Sequence, residues 1–155
     1  MRRAPDRQAL SQHGRRPMSI ETNKAAVGRF MEAINAGNLD AFDDLVAEDF
    51  VEHEAFPGLP TRGPEAPKAA IGMFRAAFPN LEFSPDELLA DGDKVVVRGT
   101  ISGTHKGEFM GIPPTDNSFK VQFIDIIEFR DGIATAHWGV TDQAAMMQQL
   151  GLVEM

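Results

Sequence analysis

The chain has 155 residues, 43% hydrophobic and 25% charged, with no cysteine; that is the profile of one soluble domain, and it excludes disulfides, Cys-ligated zinc and thiol nucleophiles. The formal net charge of -8 is uneven: five arginines against Asp6 alone give residues 1–17 a local +4, so the rest of the chain carries -12. An acidic body repels phosphate backbones and no apolar run approaches the ~18 residues needed to span a bilayer, so neither nucleic acid nor membrane is expected as a partner.

Residues 1–19 read as a basic, disordered leader and residues 20–155 as a single domain. The paired arginines are not followed by the apolar stretch of a secretory signal, so a cytoplasmic location is expected. Helical spacing of Val27, Phe30, Met31 and Ile34 predicts a first helix from about Thr22 to Ala36, stopped by Gly37. Asn38 is placed to cap a second helix with Leu39, Phe42, Leu45 and Val46 on its buried stripe. A brief strand, Phe50 to His53, precedes a Pro/Gly loop, and Pro64 opens a third helix carrying Ile71, Phe74 and Phe78. Strands are predicted over Leu81–Ala90, Lys94–Gly103, Phe119–Phe129 and Ile133–Val140, and a last helix over Asp142–Leu150. Helices first and an antiparallel meander last make the fold class α+β, a curved antiparallel sheet wrapped around N-terminal helices with an internal pocket.

Chemistry concentrates on the predicted strand next to last in the chain, Phe119 to Phe129. Alternation gives Phe119, Val121, Phe123, Ile127 and Phe129 one face, with Asp125 in their midst. A carboxylate on such a face is costly unless it is paired or protonated. Read as a three-residue loop with a bulge, Arg130-Asp131-Gly132 sets Phe129 opposite Ile133 and Asp125 opposite His137, an acid–base pair on an apolar wall. A two-residue loop slips the register by one and turns Asp125 toward Trp138. The pair is either functional or a buried hydrogen bond that only fixes the sheet. His53 lies at a strand end where it enters a pocket or stays on an exposed loop. His105 lines a pocket mouth or stabilises a turn. Arg98 binds Asp125 or an anionic ligand group, or else snorkels to the sheet edge. Asp142 reads as a helix cap. The four histidines lack metal-ligand spacing, and no Gly-x-Ser-x-Gly elbow, dinucleotide fingerprint or P-loop is present, so no metal or cofactor is expected.

The stretch Gly103-Thr104-His105-Lys106-Gly107-Glu108-Phe109-Met110-Gly111-Ile112-Pro113-Pro114-Thr115 resembles the loop signature of the SnoaL-like polyketide cyclases, also called ester cyclases. His137-Trp138-Gly139-Val140-Thr141-Asp142, closing on Gln148-Gln149-Leu150-Gly151, is similar to their C-terminal signature, and Ala77-Phe78-Pro79-Asn80 and Gly92-Asp93-Lys94-Val95-Val96-Val97-Arg98-Gly99 also match. The resemblance covers residues 22–152. It implies a cone-shaped α+β barrel of the nuclear-transport-factor type, often a homodimer, that closes a polyketide ring by intramolecular aldol condensation without metal or cofactor. It also implies an acid/base Asp directly after the His-Trp pair, where this chain has Gly139. The site expected on this basis has Asp125 and His137 as catalytic groups, with neutral His137 orienting or donating. Around them His53, Arg98, His105, Phe123, Phe129 and Trp138 hold a small hydrophobic or polyketide-like substrate. The alternatives are a non-catalytic binder of a small hydrophobic ligand, or a related isomerase or dehydratase.

Overall fold

Val27, Phe30, Met31 and Ile34, spaced for one helical stripe, are all buried on α1 (Arg7–Ala36). This computed structural model describes residues 7–153. The helix begins at Arg7, within the expected leader, rather than at Thr22; residues 1–6 of that leader lie outside the described residues. At the other end the Gly37 and Asn38 amides return to the Ile34 and Ala33 carbonyls, which satisfies acceptors a helix end leaves free. Arg75 of α3 (Glu65–Ala77) reinforces this end, its Nη1 donating to the Ile34 and Asn35 carbonyls at 3.1 and 3.2 Å. The predicted second helix is shorter than its pattern suggested: a 3₁₀ turn, Leu39–Ala41, then α2 (Phe42–Leu45). Val46, placed on that helix by periodicity, instead starts β1 (Val46–Glu52).

Four further strands follow: β2 (Glu82–Asp91), β3 (Lys94–Thr104), β4 (Ser118–Arg130) and β5 (Ile133–Thr141), before α4 (Gln143–Gln149). The sheet order is β1-β5-β4-β3-β2. The meander β2 to β5 is antiparallel as expected, but β1 pairs with β5 in parallel, so the sheet is mixed and has two edges instead of closing as a barrel. Strand alternation does the rest. Phe119, Val121, Phe123, Ile127 and Phe129 point inward with Val95, Val97 and Ile101, and share one core with the α1 stripe, Phe42, Phe50 and Phe78. Burying such side chains stabilises by about 1.5–3 kcal/mol each, which is what holds helices and sheet together. Asp142 caps α4, its side chain accepting from the Ala145 amide at 3.1 Å. Among the described residues no helix is long and apolar enough to cross a membrane.

Candidate active site

The β4–β5 hairpin sets the site, and its register differs from the expected one. The loop is the two-residue Asp131-Gly132, with φ of 53° and 78°; two positive values define a type I′ turn, whose twist matches the flanking strands and which glycine accepts most readily. Arg130 therefore faces Ile133 and Phe129 faces Ala134. Thr135 then bulges: Ala136, not Thr135, pairs with Glu128, and from there Ile127 faces His137 and Asp125 faces Gly139. The Thr135 hydroxyl donates to the Glu128 carbonyl at 3.2 Å. An extra residue in one strand shifts side-chain parity by one, so the bulge cancels the slip of the shorter loop. Asp125 is thus the diagonal neighbour of His137, not its direct partner, and both still point inward.

They meet there. His137 Nε2 lies 3.1 Å from Asp125 Oδ1. Its other ring nitrogen, Nδ1, is 2.7 and 2.8 Å from the two carboxylate oxygens of Glu52. Glu52 was not among the expected site residues. Phe50 is buried on β1, and alternation puts Glu52 on the same face; the parallel ladder then pairs Glu52 with His137. The end of β1 is held by the His53 amide donating to the His137 carbonyl at 3.0 Å, and by the Glu54 amide donating to Glu52 Oε1 at 3.0 Å.

This arrangement decides the charge of the ring. Burial opposes a charged imidazole, but hydrogen bonds and proximity to Asp125 and Glu52 outweigh it, and the His137 pKa is pushed up to about 10. At neutral pH His137 is an imidazolium, not the neutral donor expected from sequence. Glu52 spends both oxygens on the ring. Asp125 spends one, and among the described residues its Oδ2 takes no hydrogen bond. The oxygen free to meet a ligand is therefore on Asp125.

The three groups form the polar end of a cavity of about 850 Å³, within the range of small-molecule pockets. Ile34 and Met31 of α1, Phe74 of α3, Phe50, Ile101 and Phe119 contribute to its apolar wall. His53, Thr141 and Gln143 add hydrogen-bonding groups, the last two unforeseen. The lining contains no lysine or arginine. Among the described residues no three His, Asp or Glu side chains converge on a point that a metal could occupy.

Of the other expected site residues, only His53 reaches the cavity. It stacks on Trp138, with ring centroids 4.5 Å apart and planes 3° apart. Trp138 itself, one residue from His137, projects to the outer face opposite Ile126. Arg98 also points outward, because Val97 beside it points in, and it pairs with Glu87 at 3.2 Å. Phe123 and Phe129 are core residues, 1% and 3% exposed, and do not line the cavity. His105 is fully buried behind Phe78 and Phe109, its Nδ1 accepting from the Thr115 amide at 3.3 Å. It clasps its loop instead of lining the mouth, while Phe109 and Met110 of that loop do reach the cavity. The Lys106 and Gly107 amides of the same loop bond the Ala77 carbonyl at the end of α3.

Helices on one face of a curved sheet, with a charged Asp–His–Glu cluster inside an apolar hollow, define a small α+β pocket protein. The family model for SnoaL-like polyketide cyclases matches residues 24–150, and the chain belongs to that family. It is 29% identical over 133 residues to the aklanonic acid methyl ester cyclase AcmA of Streptomyces galilaeus, covering 82% of this chain and 89% of that protein. It is 27% identical over 123 residues to the nogalonic acid methyl ester cyclase of Streptomyces nogalater, covering 78% and 91%. The structure of TsrD from Streptomyces laurentii superposes with a TM-score of 0.78 at 30% identity, covering 86% of this chain and 97% of that one.

Proposed function

We propose that the protein is a cofactor-independent cyclase that closes a ring in a polyketide-like ester by intramolecular aldol addition. Asp125 Oδ2 takes the proton from a carbon between two carbonyls, giving an enolate and a neutral carboxyl. The enolate carbon attacks a ketone carbon of the same molecule, the new C–C bond forms as the ketone C=O π bond breaks, and the oxygen stays on that carbon as an alkoxide. That alkoxide takes the proton back from Asp125. Atoms balance with no co-reactant, so the net change is isomerisation. The His137 imidazolium, locked by Glu52, orients the Asp125 carboxylate; the donors of His53, Thr141 or Gln143 face the developing oxyanion. The apolar wall folds the chain so that the reacting carbons meet.

One observation carries this reading: within an apolar cavity, a carboxylate has one oxygen fixed on an imidazolium and the other, among the described residues, unpartnered. The lining further argues for an uncharged substrate. With no lysine or arginine present and the sole cation already between two carboxylates, a free acid would enter a site of net negative charge. Methyl esters fit where acids do not.

The test is turnover of a panel of 1,3-dicarbonyl esters and the corresponding free acids. Wild type is expected to cyclise esters and spare acids. Asp125→Asn should lose on the order of 10²–10⁴ in kcat with its fold unchanged. Equal turnover by Asp125→Asn would remove Asp125 from the mechanism, and tight binding without turnover across the panel would make the protein a carrier.

Self-association is part of the same proposal. On the outer face the register aligns Leu89, Val96, Ile126 and Trp138 across four strands, with Ile124 and Val140 in the next row. Leu89, Ile124 and Val140 are 58%, 44% and 65% exposed. Arg98 with Glu87 edges the band on one side and Lys94 beside Asp91 and Glu128 on the other. Opposite charges on both edges let a second copy, turned by a two-fold axis, match the first.

A further inference from the structure

We propose that Gly139 is the positioning residue of the site: the missing side chain there is what lets the Asp125 carboxylate rest on His137, so that positions 125 and 139 are alternative attachment points for a single acid. The inference rests on the reading of Asp125 and His137 as the acid–base pair.

The two residues face each other in the ladder. A Cβ built on Gly139 collides with Asp125 Oδ1 and comes within 3.0 Å of Cε1 and Nε2 of His137. Gly139 is not among the residues of positive φ. Its backbone is one that any residue adopts, and the demand for glycine comes from the site alone. What would yield is also defined. Asp125 Oδ1 is the tip of a rotatable side chain, whereas the ring of His137 is tethered through Nδ1 to both oxygens of Glu52. A side chain at 139 therefore evicts the carboxylate and leaves the strand in place. A carboxyl group attached to that Cβ starts beside Nε2 and, once the ring moves by a few tenths of an ångström, takes the position Asp125 had. Carrying the acid on β4 leaves the inner side of β5 at Gly139 open to the cavity, which this residue lines.

The experiment compares Gly139→Ala, Asp125→Gly and the double variant Asp125→Gly/Gly139→Asp with wild type. It reads the His137 ring titration by NMR, together with kcat and KM on the dicarbonyl esters. His137 is flanked by Glu52 from β1 and Asp125 from β4, with His53 behind its backbone. Gly139→Ala is expected to fold, to lower the His137 midpoint from about 10, and to lose about tenfold or more in kcat with KM within about twofold. Asp125→Gly should do the same. The double variant should return the midpoint to the wild-type value and recover kcat to within about tenfold of wild type.

An unchanged midpoint in Gly139→Ala overturns the proposal, as does a double variant that titrates like Asp125→Gly. Should Gly139→Ala fail to fold, the double variant decides, because losing the Asp125 side chain relieves the collision: a wild-type midpoint upholds the proposal and a lowered one sinks it. Midpoints that behave as stated in a protein that turns over no ester leave the positioning role intact and defeat the catalytic reading alone.

Discussion

His137 sits between two carboxylates, and its charge is the property from which the rest of the site follows. Its folded pKa, about 10, lies above the ordinary value of 6.5. A raised folded pKa makes a stability contribution that is complete below pH 6.5 and is lost as pH rises through about 10. The denaturant midpoint of wild type should therefore fall between pH 7 and 10, while that of His137→Gln, neutral throughout, stays flat. Glu52→Gln should bring the His137 midpoint down by about 1–3 units, and the alkaline limb of kcat should move down with it. A limb that stays put in Glu52→Gln would show that the ring's charge is irrelevant to turnover.

The hairpin β4–β5 and the end of β1 bring these residues together, and they also mark how far the sequence could be read. Alternation on β4 was enough to place Asp125 inside, and the same rule, applied to Val95 and Val97 on β3, sends Arg98 outside. The Asp131-Gly132 pair looked like the end of a longer loop because a glycine marks both turn types; which one forms depends on the φ of Asp131. Thr135 gave no warning of a bulge, since no glycine or proline marks it. Glu52 was hidden for a different reason: its partner is 85 residues away, and parallel pairing of β1 with β5 is a long-range event that local pattern does not encode. Inward alternation with Phe50 was the available signal. The bulge is testable by itself. Thr135→Val, which replaces the hydroxyl with a methyl group, should cost about 0.5–1.5 kcal/mol of unfolding free energy. Deleting Thr135 removes the extra residue without moving the ladder beyond it, so Ala136 still faces Glu128 and His137 still faces Ile127. The deletion variant should keep the raised His137 midpoint, and a midpoint that falls to the ordinary histidine range would show that the bulge itself shapes the site.

At the scale of the whole molecule, the two faces of one sheet present different surfaces. The inner face, roofed by α1 and α3, holds the cavity and its charged end. The outer face carries the apolar band across β2 to β5. Light scattering should give a dimer for wild type, and Ile124→Lys with Val140→Lys should give a monomer that keeps the His137 midpoint. A wild-type monomer at micromolar concentration would leave the outer face unassigned.

Ring closure involves folding of a long substrate, so the most direct probe leaves closure out. A β-keto ester too short to cyclise, incubated with the protein in D₂O, reports proton abstraction alone through exchange at its acidic carbon. Wild type should accelerate that exchange, and Asp125→Asn should be slower by about 10² or more. Exchange at equal rates in the two proteins would contradict the assignment of the base.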